Sequence, residues 1–218
     1  MAENGKCIVI CAGDFTPLEI GRKEEDFVIA VDGGYLYSKI LEIEPDLIIG
    51  DFDSVTEAER EELNGIKETD RNRVVELSPC KDDTDTLAAL RIGLEKGYQN
   101  FHIYGAMGGR LEHTFANIQC LHFLKNNGAK GYVMDEACML TVIQNETVTF
   151  HKEMEGFLSL FSLDEKAKGV TIRNMKYPLE RAEVTNDFPI GISNEFIGEA
   201  GEVTVEEGTL LAVIRWLE

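Results

Sequence analysis

Two aspartates, Asp51 and Asp53, follow directly after the apolar run LIIG in the stretch LIIGDFDSV. If the backbone stays extended there, both carboxylates project to the same side of the chain, and their like charges repel each other unless a cation lies between them. The alternative is an Asx turn that leads into a helix near Thr56. That turn accounts for one aspartate but gives no reason for the second, so the pair favours a cation site.

A second acidic group lies in the stretch PCKDDTDTLAAL, where Asp82, Asp83 and Asp85 crowd the start of a predicted helix. One of them is expected to cap that helix, because a carboxylate accepts the unpaired N–H groups of a first turn. Three carboxylates exceed what capping requires. Lys81, beside them, is a candidate partner for a phosphate or for a carboxylate.

A glycine pair follows another predicted strand in VDGGYLYSKI. Asp32, Gly33 and Gly34 end that strand and open a helix, so backbone N–H groups could face a phosphate at the helix N-terminus. The alternative is a tight turn in which the Asp32 side chain caps the helix.

A further glycine turn precedes Arg110, His113 and Asn117 in YGAMGGRLEHTFAN. Glycines let the backbone approach a ligand closely, and a forked guanidinium group suits phosphate oxygens. An arginine and a histidine on a helix are often only a surface feature. Their position after a strand and a glycine turn favours a role in ligand binding.

The elements that carry these residues follow two different patterns. Up to about residue 135, short apolar runs alternate with helical patterns, which predicts an open, mainly parallel α/β sheet covered on both faces. The predicted strands are CIVIC, FVIAV, LIIG, VVEL, FHIYG and YVMD. Helices are predicted over residues 84–97 and 111–128, each ending at a glycine. The second of them is predicted to have an apolar stripe of Phe115, Ile118, Leu121 and Leu124.

After about residue 138 the chain contains short runs that are rich in β-branched or aromatic residues and are separated by turn-forming residues. This pattern predicts an all-β antiparallel sandwich or a partly closed barrel. We therefore predict two domains, residues 1–136 and residues 137–218.

Composition excludes several classes of partner. The formal net charge of −19 repels nucleic acids and anionic membrane surfaces, so an anionic substrate must arrive with its own cation. No apolar run is long enough to cross a membrane or to act as a signal peptide. The five cysteines contain no C-x-x-C pair, which suits a reducing compartment, and we expect a cytoplasmic protein.

The four groups of polar residues all follow strands of the predicted parallel sheet, whose carboxyl ends form the usual ligand-binding edge. Neither G-x-x-x-x-G-K-[ST] nor G-x-G-x-x-G occurs in the sequence. Carboxylate oxygens without histidine or cysteine select Mg²⁺ or Mn²⁺, and Mg²⁺ held in this way usually also binds substrate phosphates. The pattern therefore predicts phosphoryl or pyrophosphoryl transfer.

The ordered set VDGG, PDLIIGDFDS, KDDTDTLAAL, GAMGGRLEH with Asn117, and GISNEF resembles the bacterial thiamine pyrophosphokinase family over nearly the whole chain. The resemblance implies an α/β domain that binds ATP and Mg²⁺ and carries out catalysis. It also implies a β-sandwich domain that binds thiamine and forms a homodimer with the active site at the subunit interface. The implied reaction transfers pyrophosphate from ATP to the hydroxyl group of thiamine and yields thiamine diphosphate and AMP.

The resemblance also implies roles for individual residues. Asp51, Asp53 and Asp85 would be catalytic and would bind Mg²⁺. The residues expected along ATP are Asp32, Gly33, Gly34, Lys81, Asp82, Arg110, His113 and Asn117. Ser193 and Asn194 match the segment that binds the aminopyrimidine ring of thiamine.

Two positions depart from the family pattern. Glu112 stands where the family usually has aspartate, and the last strand lacks a tryptophan that contacts the substrate ring in many relatives, since Trp216 lies four residues later. Two other functions are compatible with parts of the sequence. One is a non-catalytic sensor that binds a magnesium nucleotide and associates through its β domain. The other is an α/β oxidoreductase, which the missing G-x-G-x-x-G motif disfavours.

Overall fold

The structure is a computed structural model that describes residues 5–14, 18–53, 55–78 and 83–217. Lys81 and Asp82 lie outside the described residues. The chain divides into two compact units, Met1–Glu136 and Ala137–Glu218. No helix among the described residues is long and apolar enough to span a membrane.

The first unit contains a parallel sheet whose strand order is β6-β5-β1-β2-β3-β4. Its central strands are buried because helices lie over the sheet, which is why their sequences are apolar without alternation. The predicted α/β fold of this half is confirmed. The strands are β1 (Cys7–Ile10), β2 (Phe27–Val31), β3 (Leu47–Gly50), β4 (Val74–Glu76), β5 (Asn100–Tyr104) and β6 (Lys130–Met134).

Four helices accompany this sheet: α1 (Gly34–Ile40), α2 (Glu57–Thr69), α3 (Asp85–Glu95) and α4 (Leu111–Asn126). Gly97 and Gly128, just beyond α3 and α4, have positive φ angles of 90° and 74°, as expected for glycines that terminate helices. The predicted apolar stripe of α4 is wrong at its start, because Phe115 is exposed while Leu121 and Leu124 are buried. The buried face begins instead at Asn117, whose amide group has a partner inside the unit.

The second unit contains two antiparallel sheets with strand orders β12-β9-β14-β7 and β11-β10-β13-β8. Side chains from both sheets form one buried core, which includes Leu158, Ile172, Val203 and Leu210, so the two sheets pack on each other as a sandwich. The predicted antiparallel β fold is confirmed. The strands are β7 (Cys138–Gln144), β8 (Thr147–Thr149), β9 (Phe157–Ser162), β10 (Lys166–Arg173), β11 (Leu179–Thr185), β12 (Gly191–Glu195), β13 (Glu202–Thr204) and β14 (Thr209–Arg215).

Candidate functional site

The carboxyl ends of the parallel strands form one edge of the first unit. Asp32 follows β2, Asp51 follows β3, and the loop that leads to Arg110 follows β5. The strand order reverses between β1 and β5, and ligands of open α/β sheets bind at such a reversal. The sequence motifs therefore converge on the edge where a ligand site is expected.

Asp32 lies at the centre of this edge in an unusual conformation. Its φ angle is 47°, which is uncommon for a residue other than glycine, and its Oδ1 atom is buried without a hydrogen-bond partner. Gly50 makes room for the carboxyl group, since a Cβ atom at that position would lie 1.8 Å from Asp32 Oδ1. The Asp32 side chain does not cap α1, so this part of the tight-turn alternative is wrong.

The carboxyl group of Asp32 interacts with two other aspartates, Asp51 and Asp85. Burial, a hydrogen bond with Asp85 and the charges of Asp85 and Asp51 raise the pKa of Asp32 from 3.8 to about 7, although the Phe52 backbone N–H opposes the shift by donating to it. A hydrogen bond between two carboxyl groups requires a proton on one of them. Asp32 therefore keeps its proton up to about pH 7, and above that pH its charge repels those of Asp85 and Asp51 while its Oδ1 atom has no hydrogen-bond partner.

The GDFDS segment forms a turn and not an extended strand. Phe52 has a φ angle of 53°, and the Asp53 backbone N–H donates to Asp51 Oδ1 at 3.2 Å. This hydrogen bond defines an Asx turn, so the prediction of an extended backbone is wrong and the alternative is correct at this point. Asp51 lies near Asp32, whereas the Asp53 side chain is exposed.

The acidic cluster before α3 separates into different environments. Thr84, and not an aspartate, caps α3 by accepting the Leu87 backbone N–H at 3.2 Å. The Asp83 carboxylate pairs with the Arg91 guanidinium at 2.9 Å, and Asp85 faces Asp32. The expectation that an aspartate caps this helix is therefore wrong, and of these two aspartates only Asp85 joins the central group.

The glycine loop after β5 is fixed against the end of β1. The Gly13 N–H donates to the Gly105 carbonyl at 2.7 Å, and the Asp14 N–H donates to the Met107 carbonyl at 2.8 Å. Gly108 has a φ angle of 78°, and a Cβ atom there would lie 2.1 Å from Asp14 Oδ2. Sequence reasoning did not single out Asp14, although its position just after an apolar strand in CAGD is the same signal that identified Asp32.

Asn117 and Arg110, which follow this loop in the chain, have different surroundings. The buried Asn117 amide donates to the Ala106 carbonyl at 2.7 Å and so holds the loop in place. The Arg110 guanidinium lies on the surface and bonds to Glu112 at 2.7 Å, and the side chain of Arg110 is 73% exposed. His113 is also exposed. The carboxylate of Glu112 therefore orients Arg110, which leaves the guanidinium accessible to a ligand.

In the second unit, Ser193 and Asn194 lie in β12. Ser193 is exposed with a φ angle of 55°, and its backbone N–H donates to Ser159 Oγ at 3.0 Å. The buried Asn194 amide accepts the Tyr177 N–H at 2.9 Å and donates to the Tyr177 carbonyl at 2.7 Å. Asn194 lines a cavity of about 270 Å³ together with Tyr177, Ile190 and Ile192, whereas Ser193 is not among its lining residues.

The carboxylate group fits a divalent ion in its donor chemistry. Among the described residues, no group of three or more histidine, cysteine, aspartate or glutamate side chains is close enough to hold a metal ion alone. Mg²⁺ does not require such a cage, because it is usually bound by one or two carboxylates together with substrate phosphates and water. The unpartnered Asp32 oxygen and the mutual repulsion around it are features that a cation would relieve.

Replacing Asp32 with asparagine should stabilise the metal-free protein at pH 8. The raised pKa means that the stability linked to this carboxyl group is fully present below about pH 3.8 and is lost as the pH rises through about 7. Asparagine tolerates a positive φ angle and does not ionise, so the variant avoids that loss. With an allowance for solvent screening we expect a gain of about 2 kcal/mol, or about 4–8 °C in Tm.

Thermal unfolding in EDTA between pH 4 and pH 8 measures this effect. The difference in Tm between variant and wild type should grow with pH. Asp83→Asn is a matched control, because it removes a carboxylate that has an arginine partner and so should give no gain. Equal Tm values for Asp32→Asn and the wild type at pH 8 would show that the repulsion is absent.

Comparisons with known proteins match both units of the chain to one family. The family model described as "Thiamin pyrophosphokinase, catalytic domain" matches residues 21–133, and the model described as "Thiamin pyrophosphokinase, vitamin B1 binding domain" matches residues 145–210. A curated relative, thiamine pyrophosphokinase of Bacillus subtilis (strain 168), is 30% identical over 191 residues, which cover 87% of each chain.

Solved structures show the same fold over almost the full length. The crystal structure of thiamine pyrophosphokinase from Bacillus subtilis has a TM-score of 0.87 and 27% identity, covering 98% of this chain and 100% of that one. The crystal structure of thiamin pyrophosphokinase from Geobacillus thermodenitrificans has a TM-score of 0.83 and 25% identity, covering 98% of each chain.

Proposed function

Because the chain belongs to the thiamin pyrophosphokinase family, we propose that it transfers the pyrophosphate group of ATP to the hydroxyl group of thiamine, giving thiamine diphosphate and AMP. The observation that carries this proposal is the crowding of Asp32, Asp51 and Asp85 around a buried carboxylate oxygen without a partner. Such a group of carboxylates at the ligand-binding edge of an α/β sheet suits a nucleotide that arrives with a divalent cation.

The chain's own residues would handle charge and alignment, which are the main requirements of phosphoryl transfer. Asp51 and Asp85, together with Asp32, would hold Mg²⁺, with Asp53 beside them. When bound, Mg²⁺ neutralises developing negative charge on the phosphate oxygens. The hydrogen bond from the Asp53 N–H would orient the Asp51 carboxylate, and the cap at Thr84 would hold the first turn of α3, which carries Asp85, so that less reorganisation is needed when a substrate binds.

The loop after β5 would lie along the nucleotide. Arg110 offers an exposed guanidinium that Glu112 already orients, and a guanidinium fork suits phosphate oxygens. Asn117 would act on the nucleotide indirectly, since its amide is bonded to the loop backbone at Ala106. His113 and the glycines Gly33 and Gly34 remain predicted nucleotide contacts.

Thiamine would bind to the second unit beside Ser193. The cavity of about 270 Å³ next to Asn194 is lined partly by Tyr177 and Ile192, which suit the rings of a small heteroaromatic cation. Tyr177, Ile190 and Ile192 expose apolar surface around it, and Phe188, two residues before Ile190, is also exposed. Apolar patches of this kind suit association with another protein, and they support a homodimer whose active site lies at the subunit interface.

A cytoplasmic location also remains part of the proposal. Cys7, Cys11 and Cys120 are buried thiols, and burial raises the pKa of Cys7 and Cys11 to about 12, so both stay protonated and unreactive. Buried thiols of this kind suit a reducing compartment.

The proposal predicts that a mixture of the protein, thiamine, ATP and Mg²⁺ produces AMP and thiamine diphosphate in equal amounts. Chromatography of the nucleotides and of the thiamine esters measures both products. Reactions without thiamine and reactions with EDTA are the controls, and neither should form AMP. Production of ADP alone would contradict pyrophosphate transfer, whereas nucleotide binding without turnover would favour a sensor.

A further inference from the structure

Arg60, on α2, contacts the peptide group that joins Phe52 to Asp53. Its Nη2 atom donates to the Phe52 carbonyl oxygen at 2.8 Å. The N–H of the same peptide group, which belongs to Asp53, donates to Asp51 Oδ1 at 3.2 Å. The plane of this peptide is therefore held at both ends, by Arg60 on one side and by an aspartate of the candidate site on the other.

Phe52 is the residue at which this turn stores strain. Its φ angle of 53° is unfavourable for a bulky side chain, and its ring is buried among Ala30, Ile48 and Leu63. Its backbone N–H donates to the Asp32 carboxyl group. The bond to Asp32 therefore holds the peptide plane before Phe52, which sets its φ angle, and the bond from Arg60 holds the plane after it, which sets its ψ angle.

The first turns of α2 fix the position of Arg60 relative to this turn. Thr56 and Glu59 form a capping box, in which the Thr56 N–H donates to Glu59 Oε2 at 2.6 Å and the Glu59 N–H donates to Thr56 Oγ1 at 3.4 Å. Leu63, one turn beyond the capping box, packs in the same cluster as Phe52. The guanidinium therefore reaches the Phe52 carbonyl from a helix that is anchored at both of these points.

We propose that Arg60 is a positioning residue for the acidic site, which it serves by locking the Phe52–Asp53 peptide and through it the Asp51 carboxylate. This inference rests on the proposed function for its catalytic consequence. Without Arg60 the peptide rotates more freely, the Asp53 N–H leaves Asp51 Oδ1, and the Asp51 oxygen atoms that would bind the metal lose their fixed direction. The cationic guanidinium has no direct contact with substrate in this scheme.

The test compares Arg60→Met, Arg60→Lys and a control, Arg71→Met, which removes an exposed arginine just beyond the same helix. We expect Arg60→Met to lower kcat/KM by about 10- to 100-fold and to raise the Mg²⁺ concentration needed for half-maximal rate. Arg60→Lys should recover most of the activity, because an ammonium group can donate to the same carbonyl. Arg71→Met should match the wild type.

Hydrogen exchange of the Asp53 amide gives a readout that needs neither substrate nor turnover. We expect this amide to exchange about 10-fold faster or more in Arg60→Met than in the wild type, while amides in β1 keep their rates. Wild-type activity in Arg60→Met would overturn the inference, as would a loss of activity with unchanged exchange at Asp53. If Arg60→Met unfolds, Arg60→Lys is compared with the wild type in its place and should show a small loss of rate together with slightly faster exchange at Asp53.

Different results would contradict the proposed function and the proposed role of Arg60. A wild-type chain that forms no AMP contradicts the proposed function, yet the exchange rates still test whether Arg60 locks the turn. A wild-type chain that forms AMP at the same rate as Arg60→Met contradicts only the role of Arg60.

Discussion

Replacing Asp51 or Asp85 with asparagine should lower the rate of AMP formation by about 10³-fold or more. Asparagine has nearly the same shape as aspartate but lacks the charge that would hold a divalent ion and position the phosphates. Both residues interact with Asp32 in the folded chain, so a single substitution alters the electrostatics of the whole group. Initial rates at saturating thiamine, ATP and Mg²⁺ measure the effect.

Stability separates this effect from unfolding. Each substitution removes one like charge from a group that already raises the pKa of Asp32, so the Tm of the metal-free variants should equal or exceed that of the wild type. Asp83→Asn is the matched control for Asp85→Asn, because Asp83 lies two residues away and pairs with Arg91. It should keep nearly full activity. Near-normal kcat in both Asp51→Asn and Asp85→Asn would remove the basis of the proposed site.

Asp53→Asn belongs to the same series for a different reason. The resemblance to the family predicts that Asp53 binds the metal, and the structure leaves its side chain exposed while its backbone N–H supports Asp51. Asparagine preserves that backbone hydrogen bond, so this variant reports on the Asp53 carboxylate alone. A loss comparable to that of Asp51→Asn would place the Asp53 carboxylate on the metal or the phosphates.

The architecture could be predicted because the pattern of apolar residues extends over whole strands and helices. Runs such as FVIAV and LIIG are apolar without alternation, since both faces of a parallel sheet are covered, and the change to short β-branched runs after about residue 138 marks the antiparallel unit. Helix ends at Gly97 and Gly128 were also predictable, because a positive φ angle after a helix is a local property of glycine.

Strand β12 was missed for a physical reason. The sequence GISNE has little β-branched or aromatic content, and its pairing with β9 is interrupted by a register shift between Gly191 and Asn194. Ser193 has a positive φ angle, and the Asn194 amide replaces part of the strand pairing by bonding to Tyr177. Hydrogen bonds between residues distant in sequence hold this segment, and single-sequence patterns do not report them.

The residue types of the candidate site could be predicted from the sequence, but its backbone turns and hydrogen bonds could not. Residue types identified Asp32, Asp51 and Asp85, because carboxylates after buried strands meet at one edge of the sheet. An Asx turn at Asp51 was one of the two alternatives that the sequence allowed, but the positive φ angle of Phe52, its buried ring and its hydrogen bond with Arg60 were not predictable from spacing. The same limit applies to Asn117 and Asn194, whose amides are bonded to backbone groups that are far away in sequence.

Replacing Ser193 with arginine should lower kcat/KM for thiamine by about 100-fold while leaving KM for ATP nearly unchanged. Ser193 is exposed and lies in the chain between Ile192 and Asn194, which line the cavity of about 270 Å³, so a long side chain can be accommodated in the folded protein but reaches the space proposed for thiamine. The added positive charge also repels the cationic thiazolium ring. Thr147→Arg, at an exposed position in the other sheet of the same unit, is the control and should retain wild-type kinetics.

Mixing this variant with Asp51→Asn tests whether two chains share one active site. If Asp51 of one subunit works with Ser193 of the other, a mixed dimer contains one site with both wild-type residues and one site with both substitutions. If the chain forms a homodimer, random reassociation of equal amounts makes about half of the dimers mixed, so the mixture of two strongly impaired proteins should recover about a quarter of wild-type activity. If both residues act within one chain, every site in the mixture carries a substitution and no activity returns. The two arrangements differ only in whether one chain or two supply Asp51 and Ser193 to a site. Each variant alone is therefore equally impaired under either arrangement, and only the recovery of activity in the mixture distinguishes them.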